Sequence, residues 1–186
     1  MLGCVLVSGC APRPDPATDP RFEARRALEA AAERGPVLAI VEGEALDDDD
    51  LARDALTTEA VAEGIDALDV DFTTDPARAA SRDPRLVVAL NPSGVVSAAA
   101  ACRAPQQIAT GPLEGEVEVL AVFCEDERVL GAARTQGEVD GPSDRDLERL
   151  LWRAAGELFP DDYAETYGIR VLPDWLGVGV GGSFGF

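Results

Sequence analysis

Enzymes need side chains that pass protons, hold metals or attack electrophiles, and this sequence withholds most of them. Its 186 residues include no histidine, and all 16 basic residues are arginine, so lysine is missing too. Without histidine there is no Ser–His or Cys–His pair and no imidazole metal ligand. Without lysine there is no Schiff base and no phosphate-binding lysine of the nucleotide-loop type. Carboxylates are plentiful, with 35 Asp and Glu, and a facing pair of them can hydrolyse a glycosidic bond. Sugar clefts rely on aromatic platforms, however, and the chain has only 2 Trp, 2 Tyr and 6 Phe. The expectation is a protein that binds rather than catalyses, with no assigned catalytic residue and no cofactor. A small carboxylate-dependent hydrolase is the alternative.

Two acidic patterns invite a cation. Asp47-Asp48-Asp49-Asp50 offers consecutive carboxylates, which point in different directions along a chain. Asp69, Asp71, Thr73 and Asp75 have the alternate spacing of a calcium loop, but Thr74 stands where such a loop turns on glycine. Both read as solvated acidic surface, and no metal ligand is assigned; a calcium-binding surface module is the further alternative. Asn91-Pro92-Ser93-Gly94 follows an apolar run and precedes a predicted helix, a place where α/β proteins hold anions on free backbone N–H groups. Pro92 removes one donor, and the formal net charge of -19 opposes an anion, so a plain cap and turn is expected there. That charge also argues against nucleic acid, whose affinity comes from phosphate neutralisation by basic residues. Direct adsorption to anionic lipid is disfavoured for the same reason.

Four cysteines remain. Cys4 and Cys10 lie near the start, and Cys102 and Cys124 form a pair 22 positions apart. In an oxidising compartment such a pair is expected to form a disulfide, the alternative being two separate buried thiols. The run Leu6-Val7-Ser8-Gly9-Cys10 resembles a bacterial lipobox, in which an aliphatic and two small residues precede the cysteine. The resemblance to lipoproteins implies acylation of the Cys10 thiol and cleavage just before it. Residues 1–9 then read as a truncated signal peptide and residues 10–18 as a tether, since Ala11-Pro12-Arg13-Pro14-Asp15-Pro16 suits neither helix nor ladder. Ala11 in the second mature position is similar to lipoproteins forwarded to the outer membrane. The implied setting is the cell envelope, at the outer membrane facing the periplasm. The partners are the membrane itself, through the lipid on Cys10, and an envelope protein.

Periodicity supplies the elements that would position any site. The composition, 46% hydrophobic and 27% charged, is that of a folded chain, and no stretch reaches the roughly 18 apolar residues of a spanning helix. Asp19-Pro20 caps a helix over Arg21–Arg34, stopped by Gly35-Pro36. Val37–Val41 is a buried strand, and Leu51, Ala55, Thr58, Ala62 and Ile65 recur at helical spacing. Leu68, Val70 and Phe72 alternate as a strand, Pro76–Arg82 makes a short helix, and Leu86–Leu90 is a further strand. Asn91-Pro92 starts a helix through Cys102. Val117–Phe123 and Val129–Thr135 form an antiparallel hairpin around Glu125-Asp126-Glu127. Ser143 and Asp146 make a capping box for a last helix whose stripe is Leu147, Leu150, Leu151, Ala154, Ala155 and Leu158, ended by Pro160.

The fold expected is α/β: a mixed sheet with helices, βαβ units followed by an antiparallel hairpin and a C-terminal helix, in one domain over residues 19–172. Residues 173–186, uncharged after Asp174 and rich in glycine, read as a terminal strand or tail. Their aromatic end is superficially similar to the last strand of outer-membrane barrels, but one strand cannot close a barrel. Addition to a partner's sheet edge is the functional alternative for this tail.

Overall fold

The computed structural model describes residues 22–44, 50–141 and 145–161. Cys4, Cys10 and the lipobox, the tether, Asp19-Pro20, Asp47–Asp49, Ser143 and the Gly-rich tail lie outside the described residues. Ten residues of the alanine-rich opening form α1 (Glu23–Ala32), whose Ala24, Leu28 and Ala31 are buried on one side. Gly35, at φ +126°, turns the chain into β1 (Val37–Glu42). Then come α2 (Asp50–Glu63), β2 (Phe72–Thr73), β3 (Ser81–Leu90), α3 (Ala98–Arg103) and a 3-10 turn over Pro105–Gln107. The hairpin strands β4 (Gly115–Glu125) and β5 (Arg128–Val139) precede α4 (Arg145–Leu158).

The five strands lie in the order β2-β1-β3-β4-β5. β1 is parallel to β2 and β3, while β4 is antiparallel to both β3 and β5. The protein is therefore α/β with a mixed sheet, closed by a hairpin and a C-terminal helix. α2 makes the crossover between the parallel neighbours β1 and β2. Asp126 takes the left-handed conformation (φ +52°) in the two-residue hairpin loop, a conformation aspartate tolerates because its short side chain bonds locally.

Four expected elements differ. Of the strand predicted over Leu68–Thr73, only Phe72 and Thr73 pair, with Val37 and Leu38. Val70 is buried and Leu68 packs on the core, so the alternation reports a loop lying over apolar residues. Pro76–Arg82 is a turn running into β3 rather than a helix; the Asp75 carboxylate accepts from the Ala77 N–H at 2.8 Å. The helix expected from Asn91 begins only at Ala98, where the Ser97 hydroxyl accepts from the Ala100 N–H at 3.1 Å. Asn91 is left-handed (φ +50°) and cannot start one. β3 also starts earlier than its apolar run suggests. Val37 pairs with Ser81 but the next partner, of Leu38, is Arg85, so residues 82–84 are skipped around Pro84, which has no N–H to donate.

Both faces of the sheet are covered, unequally. On one, Val37, Ala39, Val41, Leu86, Val88, Leu90, Val117, Val119, Ala121 and Phe123 pack under α1, α2 and α4. All six residues of the predicted α4 stripe are buried there. Phe159, just past α4, meets the Phe123 ring edge-on at 5.2 Å between centroids. The other face holds Val87, Ala89, Leu120, Val122 and Cys124 under the short α3, which contributes Ala101 and Cys102. Cys102 and Cys124 are bonded, with Sγ atoms 2.01 Å apart, and the bridge ties α3 to β4. Among the described residues, the buried Thr57 hydroxyl in α2 has no hydrogen-bond partner.

Closing a loop of 22 residues limits the unfolded chain, so replacing both Cys102 and Cys124 by Ser is expected to cost about 3 kcal/mol. Urea unfolding without reductant reads the loss, and reductant should lower the midpoint of the wild-type protein while leaving that of the variant unchanged. Thr57→Val removes an unpaired buried hydroxyl at nearly constant volume, and a gain of about 1 kcal/mol is expected in the same assay.

Candidate functional site

Open α/β sheets often bind ligands beyond the carboxyl ends of their parallel strands, where successive connections leave in opposite directions. Here that place is the ends of β1 and β3, where the sequence suggested an anion turn and an acidic run. The groups around Asn91 are already engaged. The Asn91 N–H donates to Glu118 O at 2.7 Å, its Nδ2 to Pro112 O at 2.6 Å, and its carbonyl accepts from Gly111 N–H at 2.8 Å. The Ser93 N–H donates to Ala109 O at 2.7 Å, and Pro92 forms a bridge with Thr110. This segment is a pairing of two loops, with no row of free N–H groups for an anion.

Beside it, Arg53 gathers the acidic residues at the start of α2. Its Nη1 donates to Gly43 O and Asp50 Oδ1, both at 2.8 Å, and its Nη2 to Asp54 Oδ1 at 2.7 Å. The fork thereby fastens α2 to the end of β1, a task for which a planar guanidinium is suited. Glu42, half-buried at the end of β1, has its carboxyl pushed above the usual range by burial; Arg53 opposes that shift and Asp54 adds to it. Glu44 reaches across to the far loop, its Oε2 accepting from the Leu113 N–H at 3.3 Å. Of the predicted acidic run, Asp50 serves this ion-pair network. In the second acidic pattern Asp69, Asp71 and Asp75 are exposed while Thr73 is buried, so the four side chains do not converge. Among the described residues no three His, Cys, Asp or Glu side chains gather as a metal site.

An open cavity lies elsewhere, between α2 and α4. Gly64, the residue after α2, sits against α4, and a Cβ there would stand 2.5 Å from Trp152 O and 2.8 Å from Ala155 Cβ. A cleft of about 480 Å³ lies between the two helices. Leu56 and Ala60 give it an apolar lining, and Glu59, Glu63, Glu148 and Arg149 surround it. Trp152 stands in it with half of its surface exposed, its indole Nε1–H donating to Glu63 O at 3.2 Å. Arg149 is paired with Asp146. No ion pair joins Glu59, Glu63 or Glu148 to another described residue.

The cleft has little signature in the sequence because its residues belong to two helices remote along the chain. One signal was present: Trp152 sits beside the apolar stripe of α4 rather than in it. Comparison with protein families, with characterised proteins and with solved structures returns no match.

A carboxyl group whose folded pKa is raised stabilises the fold only while protonated. Glu42 therefore contributes fully below its unfolded value of 4.5, and its contribution is lost as pH rises through the higher folded value. Glu42→Gln should unfold at a higher urea concentration than wild type at neutral pH, and the difference should shrink to nothing as the pH falls below 4.5.

Proposed function

We propose that this chain is an envelope lipoprotein, acylated on Cys10 and held through residues 10–18 at the outer membrane facing the periplasm, where its α/β domain acts as a non-catalytic binding module. The observation that carries the binding role is Trp152, half exposed in an open cleft between two helices. A large aromatic kept partly in water is a surface feature that partner binding uses; buried aromatic anchors dominate the energy of many interfaces. The Cys102–Cys124 bridge supports an oxidising compartment, because cytosolic thiols are kept reduced. The missing histidine and lysine support binding over catalysis. An acidic surface supports solubility beside a membrane and selects against anionic partners.

Anchoring is tested in a bacterial host by labelling with radioactive palmitate and fractionating membranes. Wild type should incorporate label and sediment with the outer membrane, and Cys10→Ser should do neither. Wild-type protein that stays unlabelled with an intact signal would overturn the lipoprotein assignment. Stoichiometric capture of one envelope protein after cross-linking is the expected sign of the binding role.

A further inference from the structure

We infer that the cleft between α2 and α4 receives a basic segment of a partner polypeptide, with an arginine or lysine lying on Trp152 among Glu59, Glu63 and Glu148. This deepens the binding role proposed above and rests on it. Two helices supply the negative groups: Glu59 and Glu63 stand four apart on α2, and Glu148 stands four before Trp152 on α4. Carboxylates at that spacing on one helix repel, and a guest cation relieves the repulsion. The cation that lines the cleft, Arg149, is engaged by Asp146 and leaves the other carboxylates available.

The aromatic is held in place. The indole N–H is fixed on Glu63 O, while half of the side chain remains in contact with solvent. An indole ring is the best aromatic surface for a cation. Leu56 and Ala60 offer apolar contact for the methylene stem that arginine and lysine carry behind their charge. A volume of about 480 Å³ suits one or two side chains. Small quaternary ammonium ligands are held in cages of several aromatics, and among the described residues Trp152 is the one aromatic lining this cleft, so an extended basic peptide fits better. The net charge of -19 adds long-range attraction for such a segment.

The test uses the full chain carrying Trp175→Phe, so that Trp152 is the fluorescent reporter, titrated with an arginine-alanine repeat peptide. Saturable change in Trp152 emission is expected, weakening as salt rises. Trp152→Leu, read by calorimetry, should weaken binding about tenfold. The triple variant Glu59→Gln, Glu63→Gln, Glu148→Gln should weaken it by at least as much. The control removes equal charge at exposed sites away from the cleft, with Asp69, Asp71 and Asp75 all changed to Asn; it should keep most of the affinity. Circular dichroism checks that each variant is folded, and Trp152→Phe, which keeps an aromatic face, should retain more affinity than Trp152→Leu. Equal loss from the cleft and control triples would show attraction to the acidic surface as a whole and overturn the assignment. So would an envelope partner captured equally by wild type and Trp152→Leu, a result that leaves the binding role standing.

Discussion

Five consecutive residues of the central strand, Leu86 to Leu90, have no measurable exposure, and the rest of the molecule is arranged around keeping them so. A strand buried on both faces must find hydrogen-bonding neighbours on each edge and apolar cover on each side. β1 and β4 supply the edges, one parallel and the other antiparallel. Three helices supply one cover, and a six-residue helix supplies the other. So short a helix has little stability of its own. It is tied down covalently through Cys102, and by Arg85, whose Nη2 donates to Cys102 O at 2.7 Å and to Asp126 O at 2.9 Å. The thin side of the sheet is thus fastened by a bridge and a guanidinium beside it, and Arg134, which donates to Val96 O, holds the approach to α3.

Arginine has a structural role throughout this lysine-free chain. Arg25, almost fully buried, donates to Phe159 O at 3.1 Å and Asp66 O at 2.8 Å, tying α1 to the ends of α4 and α2. Arg53 and Arg85 are likewise mostly buried in side chain and shared between backbone carbonyls and carboxylates. A planar fork with several donors can satisfy several acceptors at once, which a single ammonium does less well. Arg128, with its two exposed ion pairs to Glu23 and Glu125, adds little by comparison. With so many arginines engaged in holding elements together, the excess negative charge remains on the surface. That excess is what gives the α2–α4 cleft its sign.

Local patterns were read well where one physical cause dominated. The α4 stripe was legible because a helix against a sheet buries a single face, and the hairpin because its strands are long and its loop short. The pattern misled wherever tertiary contact substituted for regular structure. Leu68 and Val70 alternate with polar residues like a strand, yet they are held by side-chain packing without a ladder. Asn91-Pro92 resembles a helix start, yet its backbone pairs with residues 109–111 across the loop. No local rule announces such a partner.

What residue types alone decided is chemical: the lack of histidine and lysine, the surplus of carboxylates, the cysteine supply, and the faces of the longer elements. These follow from composition and from periods of two or 3.6 residues, which need no knowledge of distant contacts. The strand order, the capture of Gly43 O by Arg53 and of Cys102 O and Asp126 O by Arg85, and the cleft at Trp152 were decided only when the chain closed on itself. Each of them brings together groups whose separation along the chain carries no local signal, and it is packing in three dimensions that selects one such meeting over all others.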